Sequence, residues 1–185
     1  MGGHILNLSH MNQVIEHSIE ADGTGRITVE PGINLIELRK EITARFRKEQ
    51  LFWPPDPTET SASIGGIVAS GAQGISHMLY GETENYIESI RLVDGSGNVR
   101  DISRGQKEEI LPGETMDALN MVLGKEGITG IITRITLKVI PKPEAIWGIV
   151  FFFEEKEGAA GFVDMLRSEL PEAEDAKIAA VEYMD

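Results

Sequence analysis

The segment that most constrains this chain is Pro54-Pro55-Asp56-Pro57-Thr58-Glu59-Thr60-Ser61-Ala62-Ser63-Ile64-Gly65-Gly66-Ile67-Val68-Ala69-Ser70-Gly71-Ala72-Gln73-Gly74. Proline fixes φ and removes an N–H donor, so the entry is stiff and extended. The Gly65-Gly66 pair removes two Cβ atoms and lets the backbone approach a partner closely. Small hydroxyl side chains offer short hydrogen bonds around that bare backbone. A hydrophobic core has little use for such a run. A flat or multiply charged ligand held against main chain does.

The rest of the chain sets bounds. Its 185 residues predict one domain, or one domain and part of another, and 41% hydrophobic residues supply a real core. The net charge of −13 argues against nucleic acid and against anionic membrane surfaces, and is most simply a solubility feature. With no cysteine, disulfides, thiolate metal sites and a Cys nucleophile are excluded. The longest apolar run, Ala145 to Phe153, is nine residues, far short of the ~20 that span a bilayer. No basic-then-apolar opening marks a signal peptide, and a cytoplasmic location is expected.

Local patterns predict the elements. Ile5 to Leu8 reads as a strand. Ile15–Glu20 and Arg26–Glu30 alternate around Asp22-Gly23-Thr24-Gly25, a hairpin signature. Asn34 caps a helix with Glu37 at capping-box spacing, and Leu35, Leu38, Ile42 and Phe46 form its apolar stripe. The charged remainder of that helix reads as a solvated face. Tyr86–Val93 and Val99–Ile102 read as a second hairpin, Ser103–Thr115 as a loop and Met116–Leu123 as a short helix ended by Gly124. Ile131–Ile140 is β-rich, with Ile131, Thr133, Ile135, Leu137 and Val139 on one face. After Pro141 and Pro143, a strand at Ile146–Phe153, a helix at Gly158–Leu170 and a strand at Lys177–Glu182 predict the start of a second domain.

Single residues give weaker signals. Among the histidines, His17 shares a strand face with Ile15 and Ile19 and reads as a core or edge residue, and none has metal-ligand spacing. Ser61, Ser63 and Ser70 lie in no nucleophile elbow, so hydrogen bonding to a ligand or a helix cap is their better reading. Trp53 reads as a core anchor, and the glycines of 124–130 on spacing alone as a plain turn.

Five motifs then stand in one order: Val29-Glu30-Pro31-Gly32, Pro54-Pro55-Asp56-Pro57, Ile64-Gly65-Gly66, Tyr80-Gly81 and Gly127-Ile128-Thr129-Gly130-Ile131-Ile132-Thr133. In this the chain, from about Gly3 to Asp185, resembles the FAD-linked oxidases of the vanillyl-alcohol oxidase (PCMH-type) superfamily, nearest the glycolate oxidase and D-lactate dehydrogenase branch. The resemblance implies an α+β fold. Residues 1–141 would be the second subdomain of an FAD-binding domain, a mostly antiparallel sheet flanked by helices. Residues 142–185 would begin a cap domain with its first βαβ unit.

It also implies FAD as cofactor of the complete protein. Pro57, Thr58, Ser61 and Ser63 would lie along the flavin and its ribityl–pyrophosphate arm. Gly65 and Gly66 would give close approach, and Ser70, Gly71 and Gln73 would continue the wall. Gly127, Gly130, Ile131 and Ile132 would supply main-chain contacts. The implied reaction is oxidation of a small 2-hydroxy acid, with hydride passing to the flavin N5, and no residue here is assigned a catalytic role. A Pro-Arg-Gly-Gly-Gly-Thr-like pyrophosphate loop is missing upstream, and the cap is cut short. The expectation is therefore a chain truncated at both ends, inactive alone. The alternatives are a subunit completed by a partner or by self-association, and a non-catalytic interaction protein on a degenerate FAD scaffold.

Overall fold

The computed structural model describes residues 3–169 and 177–184. The first hairpin forms as its alternation predicts: β1 (Val14–Ile19) pairs antiparallel with β2 (Gly25–Val29). Helix α1 (Leu35–Arg45) follows, and the Asn34 side chain accepts from the Glu37 N–H at 2.8 Å. Such a cap is worth about 1 kcal/mol. Leu35, Leu38, Ile42 and Phe46 are all buried, which makes the expected stripe the helix's core face.

Strand β3 (Leu51–Phe52) leads into the proline segment. Trp53 is buried there, as an anchor should be, together with Pro54, Pro55 and Pro57. The short helices α2 (Ile64–Ser70) and α3 (His77–Tyr80) come next. Strand β4 (Ile87–Val93) turns through Asp94–Asn98 into β5 (Val99–Ser103). A separate hairpin, β6 (Lys107–Leu111) and β7 (Glu114–Asp117), precedes β8 (Ile131–Pro141), and α4 (Lys156–Glu169) lies beyond it.

The main sheet runs β1-β2-β8-β4-β5 with β3 paired to the end of β8, every pairing antiparallel. Strand β8 is its centre, and Ile135, Leu137 and Val139 on it are fully buried against β2 and β4. One core joins these strands to α1, α2 and the 118–123 turn. This is the expected α+β arrangement of an antiparallel sheet flanked by helices. Among the described residues, no helix is long and apolar enough to cross a membrane.

Six expectations are corrected. Ile5–Leu8 forms no strand, because it pairs with no described segment; Ile5 is almost wholly exposed. The 103–115 loop is largely the β6–β7 hairpin, turning at Pro112-Gly113. Its strands carry charge on exposed faces, so they lack the apolar alternation that betrays a half-buried strand. The helix expected at 116–123 shrinks to a 3₁₀ turn, Ala118–Met121, because Met116 and Asp117 belong to β7.

The face of β8 is not continuous either. Arg91 pairs with Arg134 but Leu92 with Ile132, so Thr133 is an extra residue in the ladder. A bulge of this kind shifts the pattern by one, burying Ile132 and leaving Ile131 exposed. Finally, 146–153 and 177–182 carry no strand hydrogen bonding. A strand exists by pairing, and no described segment pairs with either. Ile146, Trp147 and Phe152 are largely exposed, while Phe151 and Phe153 meet Phe162 of α4 with ring centroids 4.4 and 5.6 Å apart. The helix itself forms, with Phe162, Val163 and Leu166 half-buried; Leu170 lies outside the described residues.

The bulge predicts an asymmetry between neighbours. In urea denaturation, Ile132→Ala should cost about 2–4 kcal/mol and Ile131→Ala less than about 1 kcal/mol. Equal costs would place both side chains in one environment. A second prediction concerns acid. The bidentate Arg91–Asp101 pair (2.7 and 2.8 Å) holds the Asp101 carboxyl below its ordinary pKa. Its contribution is present above the unfolded value, about 4, and disappears as pH falls through the depressed one. Melting temperatures measured from pH 7 down to pH 3 should fall less steeply for Asp101→Asn than for the parent.

Candidate functional site

The proline–glycine segment is anchored residue by residue. Ile64 N–H donates to Ile33 O and Gly65 N–H to Pro31 O, both at 2.8 Å, so the start of α2 lies against the Pro31–Asn34 turn. A Cβ on Gly65 would stand 2.6 Å from Pro31 Cβ. The absent side chain at Gly65 thus answers to the protein's own backbone. Gly66 differs: it is exposed, and a Cβ there would meet only the Ser63 hydroxyl, at 3.1 Å. Ser63 is the cap of α2, its Oγ accepting from Gly66 N–H at 3.2 Å. The Ser70 hydroxyl donates back to Gly66 O at 2.8 Å.

Gly71 ends α2 with φ +63, a left-handed conformation that glycine adopts without strain. Here the second glycine motif arrives. Gly124 N–H donates to Val68 O at 3.2 Å and Glu126 N–H to Ala69 O at 2.7 Å, which docks the 124–130 turn on the C-terminus of α2. A Cβ on Gly71 would stand 3.2 Å from Gly124 Cα, so the crossing is tight on the Gly71 side, while Gly124 is held to glycine by its φ of +66. Gly127 (φ +78) is exposed with open space where a Cβ would stand, while Gly130 (φ +150) packs under Val93 O.

The result is one rim carrying both motifs. Thr58, Ser61, Gly66, Ser70, Gln73, Gly127 and Ile131 are exposed. Ser63, Gly65, Gly71 and Gly130 are half-buried, and the Pro57 and Ile132 side chains are buried. Ser61 is tied locally, its Oγ donating to Glu59 Oε1 at 2.6 Å, which holds the Glu59 carboxyl below its usual pKa. Arg39 of α1 pairs with Asp56 and braces the proline entry from the other side. The aromatic beside Gly81 packs as expected: the Tyr80 ring meets Phe52 edge-on at 5.5 Å, and burial raises its phenol pKa. His17 is an exposed edge-strand residue whose ring meets Phe46 edge-on at 5.5 Å.

Three residues of the rim gain a part in the structure that sequence reasoning did not give them. Thr129 Oγ1 is buried without a hydrogen-bond partner. Glu126 adopts φ +54, rare for a residue with a side chain, at the point where its N–H docks on α2. Thr83, buried between the glycine segment and β4, bonds to Ala72 and Gln73. Only the glycines flanking Glu126 carried any local signal.

Chemically, the rim offers bare main chain, small hydroxyls and an amide, with the carboxylates of Glu59 and Glu126 exposed on the same segments. It can bind and orient a ligand.

Among known proteins, the model of the FAD binding domain family matches residues 1–103. The D-lactate dehydrogenase of Anaerostipes hadrus is 30% identical over 156 residues, covering 84% of this chain and 31% of that protein. The glycolate oxidase subunit GlcD of Bacillus subtilis is 30% identical over 161 residues, covering 86% of this chain and 32% of that protein. The chain therefore spans about a third of the length of these curated relatives. A solved structure of alkyldihydroxyacetonephosphate synthase shares the fold at TM-score 0.68 and 24% identity, covering 88% of this chain and 30% of its own. Fold and family match agree, and by them the chain belongs to the family of FAD binding domains, with FAD as its cofactor.

Proposed function

We propose that this chain is the FAD-binding portion of a flavin-dependent oxidoreductase acting on a small 2-hydroxy acid of the glycolate or D-lactate type. The observation that carries the reading is that two glycine motifs, distant in sequence, meet at the C-terminus of α2 and that each keeps an exposed glycine, Gly66 and Gly127. The names of the relatives supply the substrate class. On this reading, residues 1–141 belong to the cofactor domain and residues 142–185 begin a cap over the substrate.

The residues present fit such a cofactor. Gly66 and Gly127 leave room for a ligand where other residues would place a Cβ. Thr129 Oγ1 is a buried hydroxyl still to be satisfied, and unsatisfied buried polar groups are costly. The Thr58 and Ser63 hydroxyls and the Gln73 amide can donate to phosphate and ring acceptors, whereas Ser61 and Ser70 already donate to Glu59 and to Gly66 O.

Each residue then has a part. Thr58, Ser61 and Ser63 supply hydroxyls along the cofactor, with Pro57 stiffening their approach. Gly66 and Gly127 admit it to the main chain, while Gly65, Gly71 and Gly130 let the backbone supporting that surface pack. Ser70 and Gln73 extend the wall, and Ile131 and Ile132 contribute main chain. When bound, FAD would supply the hydride-accepting chemistry that oxidation of a 2-hydroxy acid needs. The wall binds and orients, and none of its side chains takes part in the bond changes.

The test separates ligand contact from folding. Gly66→Trp starts from an exposed position whose Cβ crowds only the capping Ser63 hydroxyl, so a circular dichroism melt should show a cost no larger than that cap, about 1 kcal/mol. The variant's quenching of FAD fluorescence on titration should be lost. A variant that quenches like the parent would remove Gly66 from the cofactor face.

A further inference from the structure

We propose that Thr83 is a positioning residue that locks Gln73 so that the rim presents a hydrogen-bond donor, and only a donor, at that point. The inference rests on the FAD reading above and assigns a polarity to one position of the wall.

The lock is built from two bonds. Thr83 N–H donates to Gln73 Oε1 at 3.2 Å, and Thr83 Oγ1 donates to Ala72 O at 2.6 Å. A backbone N–H can only donate, so the Gln73 atom facing it must be the carbonyl oxygen. That settles which way the amide points. Its Nε2, with two N–H groups, is left on the outer side of an exposed residue, with no intramolecular partner among the described residues.

The mount on both sides is rigid. Thr83 is 2% exposed and opens a 3₁₀ turn, Thr83–Tyr86, that runs directly into β4. Arg104 ties that turn down by donating to Glu84 O and Ile87 O, and Tyr86 OH donates to Tyr80 O at 2.8 Å. On the other flank, a Cβ at Gly74 would stand 2.3 Å from Asp56 N, so that backbone packs directly on the Asp56 main chain, and Ile75 N–H donates to Asp56 O at 3.3 Å. Upstream, Gly71 is crossed by Gly124, and Ala72 N–H donates to Ile67 O at 3.0 Å. Gln73 thus hangs between two fixed points, and Thr83 decides its orientation. A fixed donor selects an acceptor atom on the cofactor, and it costs less entropy to use than a free side chain does.

A purely structural role for Thr83 makes different predictions, which Gln73→Glu exposes. A carboxylate keeps the inward acceptor for Thr83 N–H but replaces the outward donor with charge. Gln73→Glu should therefore melt like the parent, yet bind FAD about ten-fold or more weakly in a fluorescence titration. Thr83→Val, which loses the bond to Ala72 O, should also bind weakly, and Thr83→Ser should restore affinity to near the parent's. The lock is read separately, without flavin, by the hydrogen exchange of the Thr83 amide in NMR. Gln73→Ala should speed that exchange about ten-fold or more, and Gln73→Glu should not. Parent-like FAD affinity in Gln73→Glu, or unchanged Thr83 exchange in Gln73→Ala, overturns the proposal. If the parent chain binds no FAD, the flavin reading fails, and the exchange measurement alone still supports or overturns the lock.

Discussion

The rest of the structure depends on the docking of the 124–130 turn onto the C-terminus of α2. Two backbone hydrogen bonds and one glycine-on-glycine crossing make that contact. A helix ends with unpaired carbonyls, and those of α2 are satisfied in part by a distant segment. The same contact fixes where β8 begins, and β8 is the strand that both β2 and β4 pair with. One local requirement, closing the end of a seven-residue helix, thereby sets the position of the central strand relative to the glycine segment.

That economy explains why the segment contains so many glycines and why they are not equivalent. Gly65, Gly71, Gly74 and Gly130 lack a Cβ because protein backbone or side chain already fills the space. Gly66 and Gly127 are exposed: a Cβ at Gly66 would meet only the Ser63 hydroxyl, and Gly127 has open space beside it together with a φ of +78 that itself favours glycine. Close approach is one principle with two partners, and composition alone cannot tell which partner a given glycine serves. The rim becomes specific only once those filled by protein are set aside.

Much of the fold was legible in the sequence because its signals are local. The Asn34 cap, the α1 stripe and both hairpins of the main sheet rest on residues within a few positions of one another. The misreadings share a cause: each turns on a partner that a linear pattern does not contain. The β8 bulge is a property of pairing with β4, and nothing in Ile131–Ile140 announces that Thr133 is the extra residue. The charged β6–β7 hairpin is held by its own ladder, while the apolar 146–153 segment has none among the described residues. At the site, the small-residue wall was visible in advance, but Thr83 was not. Its part comes from lying beside Ala72 and Gln73 in space, and a single buried threonine leaves no mark in a sequence.

The most direct measurement of the central claim is a ¹⁵N–¹H NMR titration of the chain with FAD, following every backbone amide. The account predicts shifts concentrated at Thr58, Ser61, Gly66, Ser70, Gln73, Gly127 and Ile131, with α1 and the β6–β7 hairpin unmoved. Shifts centred on α1 or on Ile146–Phe153, with the rim silent, would contradict it.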